Sequence, residues 1–171
     1  MDGRHSFWSG AVLAVSVLAF AAIPAEIGKV GDPPPEQPLP FSHKVHVGLG
    51  LKCNDCHTVG EDGFFMLYPR EEKCMACHVA VKPESPHIQK LAEHAEAGKP
   101  IDWVQIYKVP AYVWFAHASH LEAGIECTKC HGQVAQRDKL FKEVSTSMAA
   151  CMECHAETGA PNDCDFCHDP G

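Results

Sequence analysis

All ten cysteines of the chain occur in one recurring motif, a C-x-x-C pair followed directly by a histidine. The motif occurs five times: Cys53/Cys56/His57 (site 1), Cys74/Cys77/His78 (site 2), Cys127/Cys130/His131 (site 3), Cys151/Cys154/His155 (site 4) and Cys164/Cys167/His168 (site 5). Two thiols at this spacing form thioether bonds to the two vinyl groups of a porphyrin, and the adjacent histidine then binds the iron. The motifs therefore predict five covalently bound haem c groups.

Zinc binding and disulfide formation explain the five motifs less well. Tetrahedral zinc sites also use C-x-x-C pairs, but they require no histidine directly after each pair, and five pairs leave one without a mate. A disulfide framework has no reason to repeat one spacing five times. Haem attachment accounts for every cysteine and for the histidine beside each pair.

The histidines outside the motifs are candidates for the second axial position of each iron. Five of the twelve histidines belong to the motifs, and His5 precedes a hydrophobic segment. Six therefore remain for five irons: His43, His46, His87, His94, His117 and His120. An isolated surface histidine is ordinarily a solvated side chain, but a surplus this close to the number of irons favours ligation.

Four of these six histidines lie in an internal repeat. Residues 41–57 and 115–131 share the pattern F-x-H-x-x-H-x-x-x-G-x-x-C-x-x-C-H without a gap, at an offset of 74 residues. The next C-x-x-C-H motif begins 21 residues later in the first copy and 24 residues later in the second. Repetition at a fixed offset indicates a duplicated unit, so we predict a two-haem module present twice, with site 5 as a C-terminal addition.

The spacing within each histidine pair has a structural consequence. Residues three apart on a helix lie on roughly one face, so His43 and His46 share a face, as do His117 and His120. We predict that one histidine of each pair completes the haem of its own motif, and that the other reaches a second haem nearby.

The fifth distal ligand has three candidates. The segment HIQKLAEHAEAG predicts a helix that places His87 and His94 on one face and ends at Gly98 and Pro100. Either imidazole is suitable, and Met148 is the rival, because a thioether also serves as an axial ligand.

The repeated segment FSHKVHVGLGLKCNDCH resembles the class III multihaem cytochromes c, in which both histidines of F-x-H-x-x-H are distal ligands to different haems. The run GKPIDWVQIYKVPAYVWFAHASHLEAGIECTKCHG, with SMAACMECH after it, resembles the membrane-anchored pentahaem subunit of alternative complex III and of related quinone-linked molybdopterin-type oxidoreductases. The resemblance implies a periplasmic electron-transfer subunit with low-spin haems. It also implies an iron–sulfur/molybdopterin-type subunit and a quinol-binding membrane subunit as partners.

The length of the chain indicates what fills its interior. Residues 41–171 must accommodate five haems, which leaves too little polypeptide for a conventional apolar core as well. We predict a mainly α-helical and irregular fold, a small multihaem cytochrome c domain whose core is packed with haem. Because ligand-binding free energy then becomes folding free energy, the chain should not fold without its haems.

The N-terminal part of the chain indicates export. Residues 7–23 carry no charge and are followed by proline, which suits a short membrane anchor or a secretory signal. We predict that residues 1–26 form this segment, retained as an anchor or cleaved to release a soluble periplasmic protein. Residues 27–40 form a proline-rich spacer, and residues 41–171 form the pentahaem domain on the periplasmic side of the inner membrane.

The charge and the missing motifs narrow the function. The formal net charge is −8, and residues 41–171 hold 12 basic and 18 acidic side chains. This acidic charge disfavours nucleic acid as a partner and favours a redox partner with a basic docking surface. Neither a phosphate-binding loop, nor a Ser/His/Asp triad, nor a dinucleotide fingerprint occurs. We predict an electron-transfer subunit rather than an enzyme, with a stand-alone carrier as the alternative and a multihaem reductase with an open iron as the less favoured one.

Overall fold

The computed structural model describes residues 29–168, in which short helices alternate with irregular loops. The helices are α1 (His43–Gly48), α2 (Cys53–Cys56), α3 (Glu71–His78), α4 (Pro86–Ala97), α5 (His117–Glu122), α6 (Thr128–His131), the 3-10 helix (Val134–Gln136), α7 (Met148–Thr158) and α8 (Cys164–Cys167). The same residues contain no extended strand and two isolated bridges, Val59–Met66 and Val113–His168. The mainly helical and irregular fold class predicted from the sequence is confirmed.

The predicted anchor or signal segment, residues 1–26, lies outside the described part of the chain. Between residues 29 and 168, none of the helices combines the length and the apolar character that a bilayer crossing requires.

Each C-x-x-C-H motif lies on a short helical turn or at its end. Helices α2, α3, α6, α7 and α8 carry sites 1, 2, 3, 4 and 5, respectively. Residues i and i+3 are neighbours on one helix face, so a single turn presents both thiols of a motif on the same side. These helices are therefore built around the attachment chemistry rather than around an apolar stripe.

Helices α1 and α5 are the two copies of the F-x-H-x-x-H segment. Each is six residues long, and each ends before a glycine at positive φ, Gly50 at +91° and Gly124 at +74°. The residue after each glycine donates its backbone N–H to the carbonyl of the second histidine of the pair, His46 or His120. The predicted helical placement of both histidine pairs is confirmed.

Helix α4 has the ends that its sequence predicts. Pro86 occupies the first turn, where a missing N–H costs nothing, and Gly98 adopts the left-handed conformation (φ +60°, ψ +27°) beyond Ala97. The Lys99 N–H donates to the His94 carbonyl at 3.0 Å, which satisfies one of the last carbonyls of the helix.

The apolar core is very small. Only Leu39, Leu91 and Ile101 are buried hydrophobic residues within the described part of the chain. They lie between α3 and α4 with Glu71, whose carboxylate is also buried and accepts the Ile101 N–H at 2.8 Å. So small a cluster stabilises little on its own, in keeping with an interior completed by bound groups.

The proline-rich segment packs against the domain at its C-terminal end. Leu39 belongs to the core, and the Gln37 side chain exchanges two hydrogen bonds of 2.9 Å with the backbone of Val104. The Lys90 ammonium donates to the Pro38 carbonyl at 3.2 Å. Residues 37–39 thus contact the rest of the fold, with Leu39 in its apolar cluster.

Candidate haem-binding sites

The ten motif cysteines form no disulfide bonds, and the polypeptide itself buries none of them. The clearest case is site 4, where both Cys151 and Cys154 are exposed on α7. The side chains of the polypeptide therefore do not cover the attachment thiols. Exposure suits the chemistry, because a thiol must be open to the porphyrin edge before it can form a thioether bond. The exposed thiols are those of Cys53, Cys77, Cys127, Cys151, Cys154 and Cys164, and the half-buried ones are those of Cys56, Cys74, Cys130 and Cys167.

Sites 1 and 3 each have a second imidazole facing the motif histidine. The rings of His43 and His57 have centroids 6.4 Å apart and planes 10° from parallel. The rings of His117 and His131 also have centroids 6.4 Å apart, with planes at 12°. The first histidine of each F-x-H-x-x-H segment therefore faces the histidine of the motif that follows it directly.

Sites 2 and 4 have the same arrangement with a different angle. The His46 and His78 rings are 6.2 Å apart at 56°, and the His120 and His155 rings are 6.1 Å apart at 44°. The second histidine of each segment therefore faces the next motif along the chain.

The gap within these four pairs fits a metal ion. Two imidazole–metal bonds of about 2 Å, extended by the radius of each ring, place the two ring centroids roughly 6 Å apart. Direct ring contact would bring the centroids closer, whereas unrelated surface rings would have no common spacing. The residues of sites 1 to 4 thus fit a haem iron held between two histidines.

Hydrogen bonds fix the tautomer of most of these rings. A carbonyl oxygen only accepts, so an Nδ1 atom bound to one must carry the ring proton, which leaves the Nε2 lone pair free for a metal. The Nδ1–carbonyl pairs are His46–Ser42 (2.8 Å), His57–Leu67 (3.1 Å), His78–Val81 (3.0 Å), His117–Phe64 (2.7 Å), His120–Ala116 (2.8 Å), His155–Pro161 (2.6 Å) and His168–Tyr112 (3.2 Å).

The phenylalanine of each repeated segment supports both of its histidines. Phe41 makes an edge contact with His43 (4.8 Å, 85°) and stacks on His46 (4.4 Å, 22°). In the second copy, Phe115 contacts His117 (4.7 Å, 82°) and His120 (4.7 Å, 37°). Aromatic contacts of this kind restrict ring rotation, which explains why the motif begins with phenylalanine.

His43 is the most strongly perturbed of the ligand candidates. Its Nδ1 atom is buried and has no hydrogen-bond partner within the described residues. Burial, together with the smaller effects of the adjacent His57 and His46 rings, lowers the pKa of His43 to about 4. The ring is therefore neutral at neutral pH, which is the form that binds metal.

Site 3 has a polar brace, formed by Tyr107 and its hydrogen bonds, that the sequence did not predict. The Tyr107 ring packs edge-on against His131 at 4.7 Å, and its hydroxyl donates to the His131 carbonyl at 3.3 Å. The same hydroxyl accepts the backbone N–H groups of Glu143 (2.9 Å) and Val144 (3.3 Å). These three hydrogen bonds hold the half-buried Tyr107 side chain in place. Only the tertiary structure reveals this brace, because Tyr107 is 24 to 37 residues away from its partners in the sequence.

The carboxylate of Glu143 completes the brace. It accepts two hydrogen bonds from the Arg137 guanidinium, at 2.7 and 3.1 Å, and one from the Gln133 N–H at 3.1 Å. The Arg137 hydrogen bonds hold the pKa of Glu143 below its usual range. A Cβ atom at Gly132, directly after His131, would lie 2.7 Å from the Glu143 Cβ. Glycine is required there for lack of space as well as for its φ of +72°.

Sites 2, 1 and 3 are neighbours in that order. Sites 1 and 2 share helix α1, whose two histidines face one site each. Sites 1 and 3 share the loop of residues 58–67, since the Leu67 carbonyl binds His57 while the Phe64 carbonyl binds His117. Burial raises the pKa of the Cys127 thiol of site 3, and the adjacent Cys53 thiol of site 1 raises it further.

Sites 3 and 4 are neighbours in the same way as sites 1 and 2. They share helix α5, whose two histidines face one site each. Burial raises the pKa of the Cys130 thiol of site 3, and the adjacent Cys151 and Cys154 thiols of site 4 raise it further. The exposed pair on α7 therefore lies beside the attachment residues of site 3.

Site 5 ends the row. Sites 4 and 5 meet where the His155 ring approaches Phe166 of site 5 at 6.4 Å. Burial raises the pKa of the Cys151 thiol of site 4, and the Cys167 thiol of site 5 adds to the shift. The spatial order along the molecule is therefore 2–1–3–4–5.

The remaining candidates, His87 and His94, are not brought against any motif histidine within the described residues. Both lie on α4, which packs against α3 at the site 2 end of the row. His94 donates its Nδ1 proton to the Lys99 carbonyl at 3.1 Å and borders a cavity of about 190 Å³ with Glu93, Ala97 and Lys99. The ring beside His168 is that of Tyr112, at 6.0 Å.

Comparison with known proteins gives two matches. The family described as "Cytochrome c7 and related cytochrome c" matches residues 113–169, which include sites 3, 4 and 5. The chain is also 31% identical over 194 aligned residues to "Menaquinone reductase, multiheme cytochrome c subunit" of Nitratidesulfovibrio vulgaris (strain Hildenborough). That alignment covers 97% of this chain and 90% of the relative.

Proposed function

The chain belongs to the multihaem cytochromes c, and from this membership we propose that it is the pentahaem electron-transfer subunit of a membrane-associated, quinone-linked respiratory complex. The single observation that carries the proposal is the set of four imidazole pairs whose centroids are 6.1 to 6.4 Å apart. A carrier needs irons that are fixed on both axial faces, and four sites meet that requirement.

The proposal gives each residue type its own role. The ten motif cysteines attach the porphyrins, and the five motif histidines bind the irons from the proximal side. His43, His46, His117 and His120 serve as distal ligands at sites 1, 2, 3 and 4, respectively. Bound haem supplies reversible one-electron oxidation and reduction at iron, and the chain tunes the potential through ligand type, burial and hydrogen bonds.

We propose that the two-haem module is duplicated. Matching values support this: the near-parallel pairs have plane angles of 10° and 12°, and the tilted pairs have centroids 6.2 and 6.1 Å apart. Two copies joined through the loop of residues 58–67 produce a row with site 2 at one end, and site 5 extends the other end. A row with two distinct ends suits a subunit that accepts electrons from one protein and passes them to another.

The partners follow from the named relative, which is a subunit of a menaquinone reductase. We propose that this chain assembles with a quinol-binding membrane subunit and an iron–sulfur/molybdopterin-type subunit, as its resemblance to the alternative complex III subunit also suggests. Its location is then the periplasmic side of the inner membrane, held by residues 1–26. Cleavage of that segment would instead release a soluble periplasmic protein.

The assembly can be tested by isolating the tagged, haem-loaded chain from its native membranes and identifying the copurifying proteins by mass spectrometry. We expect an iron–sulfur/molybdopterin-type subunit and a polytopic quinol-binding subunit. Recovery of the membrane-bound chain alone would favour a stand-alone carrier.

Electron transfer itself is tested by voltammetry of the isolated chain on an electrode. Reversible oxidation and reduction of the attached haems is expected. A variant with Cys74→Ser and Cys77→Ser, which removes the site 2 anchors, should lose one fifth of the transferred charge. An absence of reversible current in the haem-loaded wild type would contradict a carrier role.

A further inference from the structure

We infer that site 5, unlike sites 1 to 4, offers an axial iron position that no histidine among residues 29–168 fills, so that its haem binds a small external ligand such as carbon monoxide. The inference rests on the proposed haem attachment at site 5. It goes beyond electron transfer, because it assigns a ligand-binding position to one iron.

Site 5 differs from the other four sites in the ring that faces its motif histidine. At sites 1 to 4 a second imidazole stands 6.1 to 6.4 Å from the motif histidine. Within residues 29–168 no second imidazole stands opposite His168 at such a distance, and the aromatic ring nearest to it is Tyr112. The Tyr112 ring, stacked on His168 at 24°, has no imidazole nitrogen and does not replace a distal histidine.

The two histidines without an assigned site, His87 and His94, lie near site 2. His87 and His94 lie on α4, whose Leu91 is buried in the cluster beside Cys74 of site 2. Site 2 and site 5 are the opposite ends of the row 2–1–3–4–5. Within residues 29–168 neither the His87 ring nor the His94 ring pairs with His168, and sites 1, 3 and 4 stand between the two ends of the row.

On its proximal side, site 5 is held by hydrogen bonds as the other sites are. His168 donates its Nδ1 proton to the Tyr112 carbonyl, so its Nε2 lone pair is free for iron. The Trp114 N–H donates to the Cys167 carbonyl at 2.8 Å, and Val113 forms a bridge with His168. The segment of residues 112–114 thus holds His168 ready to bind iron. What residues 29–168 do not supply at site 5 is a second imidazole on the distal side.

Carbon monoxide distinguishes an iron with one histidine ligand from an iron with two. An iron held by one histidine and left open on the other face is high-spin, and its reduced form binds carbon monoxide, whereas irons held by two histidines are closed to it. Four closed sites and one open site predict that a single haem per chain responds.

The test uses the full-length, haem-loaded chain. Haem content is first measured by the alkaline pyridine assay, the oxidised protein is examined by electron paramagnetic resonance, and the reduced protein is titrated with carbon monoxide. We expect one high-spin haem per chain and saturation at one carbon monoxide per chain.

Two matched variants locate the response. Replacing the site 5 anchors by Cys164→Ser and Cys167→Ser should remove one haem and abolish carbon monoxide binding. Replacing the site 2 anchors by Cys74→Ser and Cys77→Ser should also remove one haem but leave carbon monoxide binding at one per chain.

Five attached haems that are all low-spin in the oxidised wild type would overturn the inference, and Met148 would then be the ligand to examine by Met148→Ala. Carbon monoxide binding that survives loss of the site 5 anchors would overturn it as well. Neither result touches the electron-transfer proposal, which fails instead if reversible redox activity is absent.

Discussion

The imidazole pairs of sites 1 to 4 differ from one another in one residue-level property, the angle between the two ring planes. The planes are nearly parallel at sites 1 and 3 (10° and 12°) and strongly tilted at sites 2 and 4 (56° and 44°). Parallel rings act on the same iron d orbital and separate it in energy from its partner, whereas tilted rings leave the two orbitals closer together.

This difference predicts two classes of low-spin signal in the electron paramagnetic resonance spectrum of the oxidised protein. Sites 1 and 3 should give rhombic signals, and sites 2 and 4 should give more anisotropic signals with a larger maximum g value. The two classes should occur in equal amounts. A single class accounting for all low-spin irons would contradict the ring geometry.

Removing one distal imidazole should change one iron only. We expect His117→Ala to leave the site 3 haem attached through Cys127 and Cys130 while adding one high-spin haem to the spectrum, since His117 is the one imidazole among residues 29–168 that faces His131. His87→Ala is the matched control, because the His87 ring faces none of the motif histidines, and it should leave the spectrum unchanged. Loss of a low-spin signal in the control would return His87 to the set of ligands.

The carboxylate of Glu143 predicts a dependence of stability on pH. Its hydrogen bonds with Arg137 lower its pKa below that of the unfolded chain, so its contribution is present above the unfolded pKa, about 4.3, and is lost as the pH falls through the folded pKa. Because the Arg137 side chain is 35% exposed, solvent weakens the pair, and we expect Glu143→Gln to cost about 1 kcal/mol at pH 7.

Chemical denaturation of the haem-loaded protein at several pH values would measure this cost. The difference between variant and wild type should shrink on acidification below the folded pKa of Glu143. Glu72→Gln is the control: a hydrogen bond from its own backbone N–H and one from Arg70 lower the pKa of Glu72 too, but the Arg70 and Glu72 side chains are exposed, so the effect should be smaller. An equal loss in both variants would remove Glu143 from the site 3 brace.

At the scale of elements, the turn after α6 carries a sharper constraint than the other helix ends. Gly132 (φ +72°, ψ −155°) adopts a backbone conformation that essentially only glycine enters, whereas Gly159 (φ +71°, ψ +19°) is in the left-handed helical region, which an L-residue enters at a cost of about 1 to 2 kcal/mol. Only at Gly132 does an added methyl group meet a neighbour, the Glu143 Cβ at 2.7 Å, whereas the space at Gly159 is open.

We therefore expect Gly132→Ala to lower the free energy of unfolding by about 2 kcal/mol more than Gly159→Ala does, since a contact this short forces the Glu143 segment to move. The low-spin signal of site 3 should also be perturbed in Gly132→Ala alone. Denaturant unfolding and electron paramagnetic resonance of the two variants provide the measurement. Equal destabilisation would show that neither the contact with Glu143 nor the more restricted backbone conformation of Gly132 adds to the cost.

The sequence predicted the elements that carry chemistry better than those that support it. The repeat placed both histidine pairs on short helices, and the end of α4 at Gly98 followed from local glycine and proline signals. Tyr107 and Glu143 were not predicted, because their roles depend on contacts with residues 24 and 10 positions away that no local pattern records.

At the scale of the whole molecule, the order of the sites could not be read from the chain. Motif order along the sequence runs from site 1 to site 5, whereas the spatial order begins with site 2, because the loop of residues 58–67 joins site 1 to the second copy of the repeat. The surplus of histidines suggested a ligand for every iron, and for site 5 this stays a prediction, because the position of α4 with His87 and His94 depends on the packing of Leu91 beside Cys74 of site 2.

The scarcity of buried side chains has its own consequence. Three buried hydrophobic residues among residues 29–168 cannot offset the conformational entropy of a chain of this length. The haems must therefore be the main contributors to the folded state. This is the central claim of the account, and it requires that all five motifs carry a haem.

The most direct test is the mass of the intact, natively produced chain under denaturing conditions, which preserve thioether bonds and remove everything held without covalent bonds. Five haem adducts per chain are predicted, with one adduct lost for each C-x-x-C pair replaced by serines. A mass showing fewer than five adducts in the wild type, or zinc bound to the native chain in place of haem, would contradict the account.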